Sequence, residues 1–125
     1  MFFNNHIVEY FMKQVKTIIR SDRLSEVVSA LREAGAKGVS ITQVKGQGSG
    51  ERPMIRGGRG TTQYRAEYNT MDSVMTVVED SQVSTMVDVI NKAARTGKSG
   101  DGIIIVTNVD QVVNIASQST GESAL

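Results

Sequence analysis

The chain has 125 residues, enough for one domain with its own core. It contains no cysteine and a single histidine, His6, so disulfide frameworks, zinc ligand sets and Cys–His nucleophile pairs are excluded by inventory. Fourteen basic and thirteen acidic residues leave a net charge of +1, which does not mark a nucleic-acid binder, and no apolar run approaches the roughly 20 residues that span a bilayer.

The opening MFFNNHIVEYF lacks the basic start, long apolar run and small-residue cleavage site of a signal peptide. Residues 1–11 read as an extension of a domain over 12–125, and the expected location is cytoplasmic. Val15, Thr17, Ile18, Ile19 and Arg20 form a β-prone run. Ser21-Asp22 follow as a helix cap with an acid in the first turn. Leu24, Val27, Val28 and Leu31 keep the i, i+3, i+4, i+7 rhythm of one apolar helix face, which Gly35 and Gly38 end. Val39, Ile41 and Gln43 then alternate with Ser40, Thr42 and Val44 in a second strand.

Residues 45–71, KGQGSGERPMIRGGRGTTQYRAEYNTM, hold six glycines, the only proline and four arginines. A connection this long without structure of its own is usually functional or disordered. Beyond it the earlier grammar returns: TIIRSDRLSEVVSALREAGAKG at Thr17–Gly38 lies against TVVEDSQVSTMVDVINKAARTG at Thr76–Gly97. The second helix is apolar at Val83, Met86, Val87 and Ile90, with Asp80 or Ser81 as cap and Lys92 and Arg95 near its negative end. Two such units predict a ferredoxin-like α+β sandwich, a double split βαβ with a four-stranded antiparallel sheet and two helices on one face.

In the second unit KSGD reads as an insertion between Gly97 and Gly102, ahead of a strand at Ile103–Thr107. Asn108 or Asp110 is the expected cap of a short turn carrying Val112, Val113 and Ile115, and the polar tail SQSTGESAL is expected to be mobile because it has little to bury.

Two stretches carry candidate chemistry. Glycines 97, 100 and 102 let backbone N–H groups converge on an anion, because positive φ costs glycine little and no Cβ blocks approach. The spacing is not that of a P-loop and the loop follows a helix instead of preceding one, so spacing alone favours an ordinary turn. The long connection places Arg52, Arg56, Arg59 and Arg65 near Tyr64 and Tyr68, a short RGG-like segment suited to stacking on single-stranded nucleic acid, although a solvated loop is the simpler reading. No nucleophile–base pattern occurs, and the expected protein is not an enzyme.

VKTIIRSDRLSEVVSALREAGAKGVSITQVKGQG, the long loop with YRAEY, and KAARTGKSGDGIIIVTNVDQVV together resemble the PII signal-transduction family over roughly Met12 to Leu125. By that resemblance residues of about 46–71 are the T-loop, about 96–102 the B-loop, and about 108–125 the C-terminal tail. It implies a homotrimer that holds an adenine nucleotide (ATP, ADP or AMP) in clefts between subunits. T-loops then grip a membrane transporter, for ammonium or bicarbonate, or a metabolic enzyme, in nitrogen control; nucleic acid is not an expected partner. Carried over by position, Gly100, Asp101 and Gly102 lie along the phosphates with Lys98 and Ile103 beside them. Ser40, Gly48 and Ser49 lie near base or ribose, and Val77 near the base from an adjoining subunit.

The departures matter as much. Ile103 stands where the family usually has a basic residue, and Asn114 and Ala116 stand where it has two phosphate-reaching arginines. Arg56 or Arg59 of the T-loop is the candidate replacement. Gly50 falls where family members place the glutamine that serves 2-oxoglutarate and magnesium, which argues against that effector. The loss of positive contacts motivates a variant reading as an AMP or ADP sensor in inorganic-carbon uptake, with bicarbonate as second effector. YRAEY is one residue short of the family's YRGAEY, so either Tyr64 or Tyr68 takes the modifiable position.

Overall fold

The computed structural model describes residues 11–48, 54–56, 63–65 and 68–125. His6, Ser49, Gly50 and Arg59, and with them most of the N-terminal extension, lie outside the described residues.

β1 (Met12–Arg20) alternates as its β-branched residues require: Val15, Thr17 and Ile19 are buried while Lys16 is exposed. α1 (Leu24–Glu33) buries Val27 and Leu31 and stops where Gly35 takes φ +106°. Gly35 N–H then donates to Arg32 O (3.1 Å) and Ala36 N–H to Leu31 O (3.0 Å), which satisfies the last carbonyls. β2 (Ser40–Gly46) follows, and after the long connection come β5 (Asn69–Glu79), α2 (Val83–Ala94) and β6 (Gly102–Val109). The sheet order is β2-β5-β1-β6 with every neighbouring pair antiparallel, the topology expected of the repeated unit.

The core lies between this sheet and the two helices: Val15, Ile19, Val74 and Val78 from the strands meet Val27, Leu31, Met86 and Ile90. Both helices cover one face of the sheet. By strand alternation Ile18, Met75, Val77, Ile103 and Ile105 lie on the other face, which no helix of the described residues covers. Among the described residues no helix is long and apolar enough to cross a membrane.

Several local expectations are corrected. Neither Ser21-Asp22 nor Asp80 or Ser81 caps its helix: Ser21–Arg23 and Asp80–Gln82 are 3-10 turns, and the second is closed by a capping box of Glu79 and Gln82. Asp22 pairs with Arg20 (3.1 Å), and Glu79 N–H donates to Gln82 Oε1 (3.3 Å), so the capping pair sits one residue ahead of Asp80. KSGD is not an insertion into a bare connection. The helix-to-strand links span 34–39 and 95–101, nearly equal, and a longer α2 takes up the rest. The long connection is not free of structure either, for β3 (Met54–Arg56) pairs with β4 (Gln63–Arg65) in a ribbon.

The tail is folded back instead of loose. Val113 bridges Thr120, and Asn114 Oδ1 accepts from Ala116 N–H (3.0 Å) and Ser117 N–H (3.1 Å). Asn114 Nδ2 donates to Ala124 O (3.1 Å), and Ala124 is buried. Asn108, the expected cap, belongs to β6 and accepts from Lys13. At the base of the tail a hydrogen bond to Glu122, then burial and the charge of Glu122, raise the Glu79 carboxyl above its usual range against the opposing pull of Lys37.

Thr17 is 1% exposed, and among the described residues its hydroxyl has no hydrogen-bond partner. An unsatisfied buried hydroxyl costs about 1–3 kcal/mol. Thr17→Val keeps the shape and removes the hydroxyl, so the urea midpoint is expected to rise by the equivalent of about 1 kcal/mol; a fall would mean that the hydroxyl is satisfied in solution.

Candidate nucleotide-loop site

α2 ends when Arg95 turns to an extended conformation (φ −76°, ψ 127°), and three glycines follow at positive φ: Gly97 (+88°), Gly100 (+94°) and Gly102 (+122°). What holds this loop is Asp101. Its carboxylate accepts from Thr96 N–H (2.7 Å), from Gly97 N–H (2.9 Å) and from the Thr96 hydroxyl. Lys98 N–H donates in turn to Thr96 Oγ1 (3.3 Å), which closes the ring of contacts. The acid at the centre of a candidate phosphate loop is thus turned inward onto the loop's own donors. Thr96, which sequence reasoning passed over, is its principal partner; the signal was a hydroxyl residue five positions before an aspartate in a glycine-rich turn.

The Thr96 hydroxyl bond, ahead of the Thr96 N–H bond, holds the Asp101 carboxyl below the usual carboxylate range against the opposing effect of burial, with still smaller help from Gly97 N–H and Arg20. A depressed folded-state pKa stabilises the folded loop fully above the ordinary aspartate range, and that stabilisation is lost as pH falls through the lowered value. Amide exchange at Gly97 is therefore expected to stay protected from neutral pH down past about 4 and to open only below it. Loss of protection already at pH 5 would contradict this.

The two outer glycines of GDG do different work. A Cβ at Gly102 would sit 1.9 Å from Ile18 O and 3.0 Å from Ile18 C, so the missing side chain is required by β1. Strand packing is thus a reason for glycine at 102 that holds with or without a bound phosphate. At Gly100 no atom of the described residues lies within 4 Å of such a Cβ, and among them the loop is open to an incoming group there. A cavity of about 390 Å³ opens beside it, lined by Asn91, Arg95, Asp101, Gly102, Ile103 and Ile104 among others.

The remaining candidates are spread over the sheet. Ile103 is 57% exposed and pairs with Ile18 on the helix-free face. Ser40, exposed on β2, and Val77, half-buried on β5, lie on that same face. β2 and β6 are opposite edges of the sheet, about 14 Å apart at the usual strand spacing. A single chain therefore does not gather Ser40 and the loop around one small ligand. Gly46 and Gly102 do share an end of the sheet, since Gln43 and Gly102 are both level with the Ile19–Asp72 pair. Gly48 is exposed just beyond.

Asn114 and Ala116, at the positions of the expected arginines, build the folded tail described above. Tyr68 is 46% exposed. The side chains of Arg52, Arg56, Arg65 and Tyr64 lie outside the described residues, as do Ser49 and Arg59, so neither the arginine replacement nor the stacking segment has a described geometry. Among the described residues no group of three His, Asp or Glu side chains forms a metal-ligand set.

The fold is an α+β sandwich of the ferredoxin-like class, with the glycine-rich loop and the base of the long connection at the same end of the sheet. The family model for "Nitrogen regulatory protein P-II" matches residues 12–119. A relative named "Nitrogen regulatory protein P-II 2" from Methanothermobacter thermautotrophicus is 38% identical over 117 residues, covering 92% of this chain and 98% of its own. A "Nitrogen regulatory protein P-II" from Microchaete diplosiphon is 43% identical over 113 residues, with 89% and 95% covered. A solved structure of Arabidopsis thaliana PII bound to citrate superposes with a TM-score of 0.74 at 27% identity, covering 94% of this chain and 93% of that one. The chain belongs to the P-II family of nitrogen regulatory proteins.

Proposed function

We propose that the chain is a homotrimeric cytoplasmic signal transducer that binds an adenine nucleotide between subunits. The nucleotide state sets the order of the T-loop, and the T-loop acts on a membrane transporter or metabolic enzyme in nitrogen control. The observation that carries this reading is the Asp101-pinned loop, open at Gly100 and placed at the same sheet end as the base of the long connection. The apolar helix-free face, with Ile103 and Ile105 exposed on it, supports assembly through the sheet, and the 14 Å between the sheet's edges supports a site completed by a neighbour. Binding biases a pre-existing equilibrium of the loop and requires no catalysis.

Ile103, Asn114 and Ala116 place no positive charge at the terminal phosphates. This favours ADP or AMP over ATP, and with it the second reading, a sensor in inorganic-carbon uptake that takes bicarbonate as co-effector. Calorimetric titration with ATP, ADP and AMP, each with and without 2-oxoglutarate or bicarbonate, is expected to give heat for ADP or AMP and a weaker response to ATP. Sedimentation of the same sample is expected to report a trimer. No heat with any nucleotide would overturn the proposal; a bicarbonate effect on affinity would select the carbon reading.

A further inference from the structure

β1 turns Val15, Thr17 and Ile19 toward the helices, and the hydroxyl in the middle of that buried row is out of place. Its sheet neighbours, Val74 on β5 and Ile104 on β6, offer no polar side chain. Thr76, a threonine buried as deeply, donates to Gly38 O (2.6 Å). The Thr17 hydroxyl has no such partner among the described residues. A buried polar group left unmatched needs a physical reason, and an incoming ligand is one.

Thr17 lines the cavity of about 390 Å³ beside the glycine-rich loop. Sites for small molecules usually measure about 300–1,000 Å³. Ile90 and Ala94 of α2 and Ile104 of β6 give this one apolar walls, and the exposed Asn91 and Arg95 stand at its rim where α2 ends. Among the described residues the Arg95 guanidinium has no ion pair. Asp101 also borders the cavity, but both its carboxylate oxygens are engaged by donors of Thr96 and Gly97. The carbonyl end of α2 is itself negative, so the guanidinium is the group that draws an anion here. Ser40 and Val77, which the nucleotide reading uses, lie on the opposite face of the sheet. The cavity shares the loop with that cleft but not the face.

A single free cation matches a single negative charge. The planar guanidinium fits a carboxylate, the hydrocarbon walls fit a short aliphatic body, and the lone hydroxyl fits one further oxygen. We propose that this cavity is a second ligand site, for a small monocarboxylate with an oxygen at its other end. The carboxylate accepts from Arg95 and Asn91 at the rim, the aliphatic body packs on Ile90, Ala94 and Ile104, and the far oxygen accepts from the Thr17 hydroxyl at the floor. The site does not depend on nucleotide binding or on the state of the T-loop.

Pentanoate and levulinate, the keto acid of the same chain length and charge, are probes that differ in that one oxygen. Amide NMR shifts of the full-length protein read their binding without any activity. Both acids are expected to shift amides within residues 91–104 saturably, with levulinate bound about 3- to 10-fold more tightly, the worth of one neutral hydrogen bond. Thr17→Val keeps the side-chain shape and is expected to bind the two acids equally. Arg95→Gln, a change at an exposed position, is expected to weaken both by about 10- to 100-fold. No saturable shift with either acid in the parent protein would overturn the proposal. So would equal affinity for the two, or a preference for levulinate that survives Thr17→Val.

Discussion

Gly102→Ala is expected to be among the most damaging single-methyl changes in the chain. The added Cβ would lie 1.9 Å from Ile18 O and 3.1 Å from Ile19 Cα, both backbone atoms of the central strand β1. A flexible side chain can swing away from such an approach; a strand paired on both edges cannot. β6 would have to part from β1 where Ile19 faces Gly102, and the φ of +122° adds strain for any residue with a side chain. Overpacking costs about 1–3 kcal/mol and a disfavoured backbone region about 1–3 kcal/mol more. The sum is a large part of the roughly 5–15 kcal/mol that holds a domain of this size together.

Gly100→Ala makes the comparison informative. Its φ is also positive, at +94°, but no atom lies within 4 Å of the new methyl group. Only the backbone strain is expected, so the urea midpoint should fall clearly less than for Gly102→Ala, with m unchanged. Nucleotide affinity should show the reverse order of interest: Gly100→Ala weakens binding in a protein that is still folded, whereas any loss in Gly102→Ala is confounded with loss of structure. Equal destabilisation by the two substitutions would contradict the assignment of Gly102 to strand packing.

The repeat made most of the fold legible. Leu24, Val27, Val28 and Leu31, and again Val83, Met86 and Ile90, carry a helical period that is local in sequence, and the strands on either side carry a period of two. Two copies of one unit then leave few ways to pair four strands. What escaped was decided by contacts between residues far apart or by backbone alone. The tail looks polar because its order comes from Asn114 bonding to Ala116, Ser117 and Ala124, not from an apolar face. The β3–β4 ribbon has three residues on each strand, too few for periodicity to register. The caps slipped because each helix is entered through a 3-10 turn, and before the second the capping pair is Glu79 and Gln82, one residue ahead of Asp80.

At the loop, residue types were legible and roles were not. An aspartate between two glycines reads equally as a ligand to ribose, a repellent of phosphate or a brace; only its distances to Thr96 and Gly97 identify the brace. A glycine facing a ligand and a glycine facing Ile18 O are identical letters.

Ile103→Lys is expected to tighten ATP binding by about 10- to 100-fold. The reasoning begins with stability: Ile103 is 57% exposed, so exchanging it for a long side chain disturbs little packing within the subunit. It continues with position, since residue 103 directly follows the loop that Asp101 braces and stands on the helix-free face beside Ile18. On the proposed nucleotide reading an ammonium there would gain one charge-assisted hydrogen bond to phosphate, worth about 1.5–3 kcal/mol, and each 1.4 kcal/mol is a factor of ten in affinity. The gain is expected to grow with phosphate charge, largest for ATP and smallest for AMP, and to shrink as salt is raised. An equal gain for all three nucleotides would place the new charge near the ribose or α-phosphate instead. No gain for any of them, in a variant that unfolds at the parent's urea midpoint and sediments as the parent does, would mean that phosphate does not run along this loop.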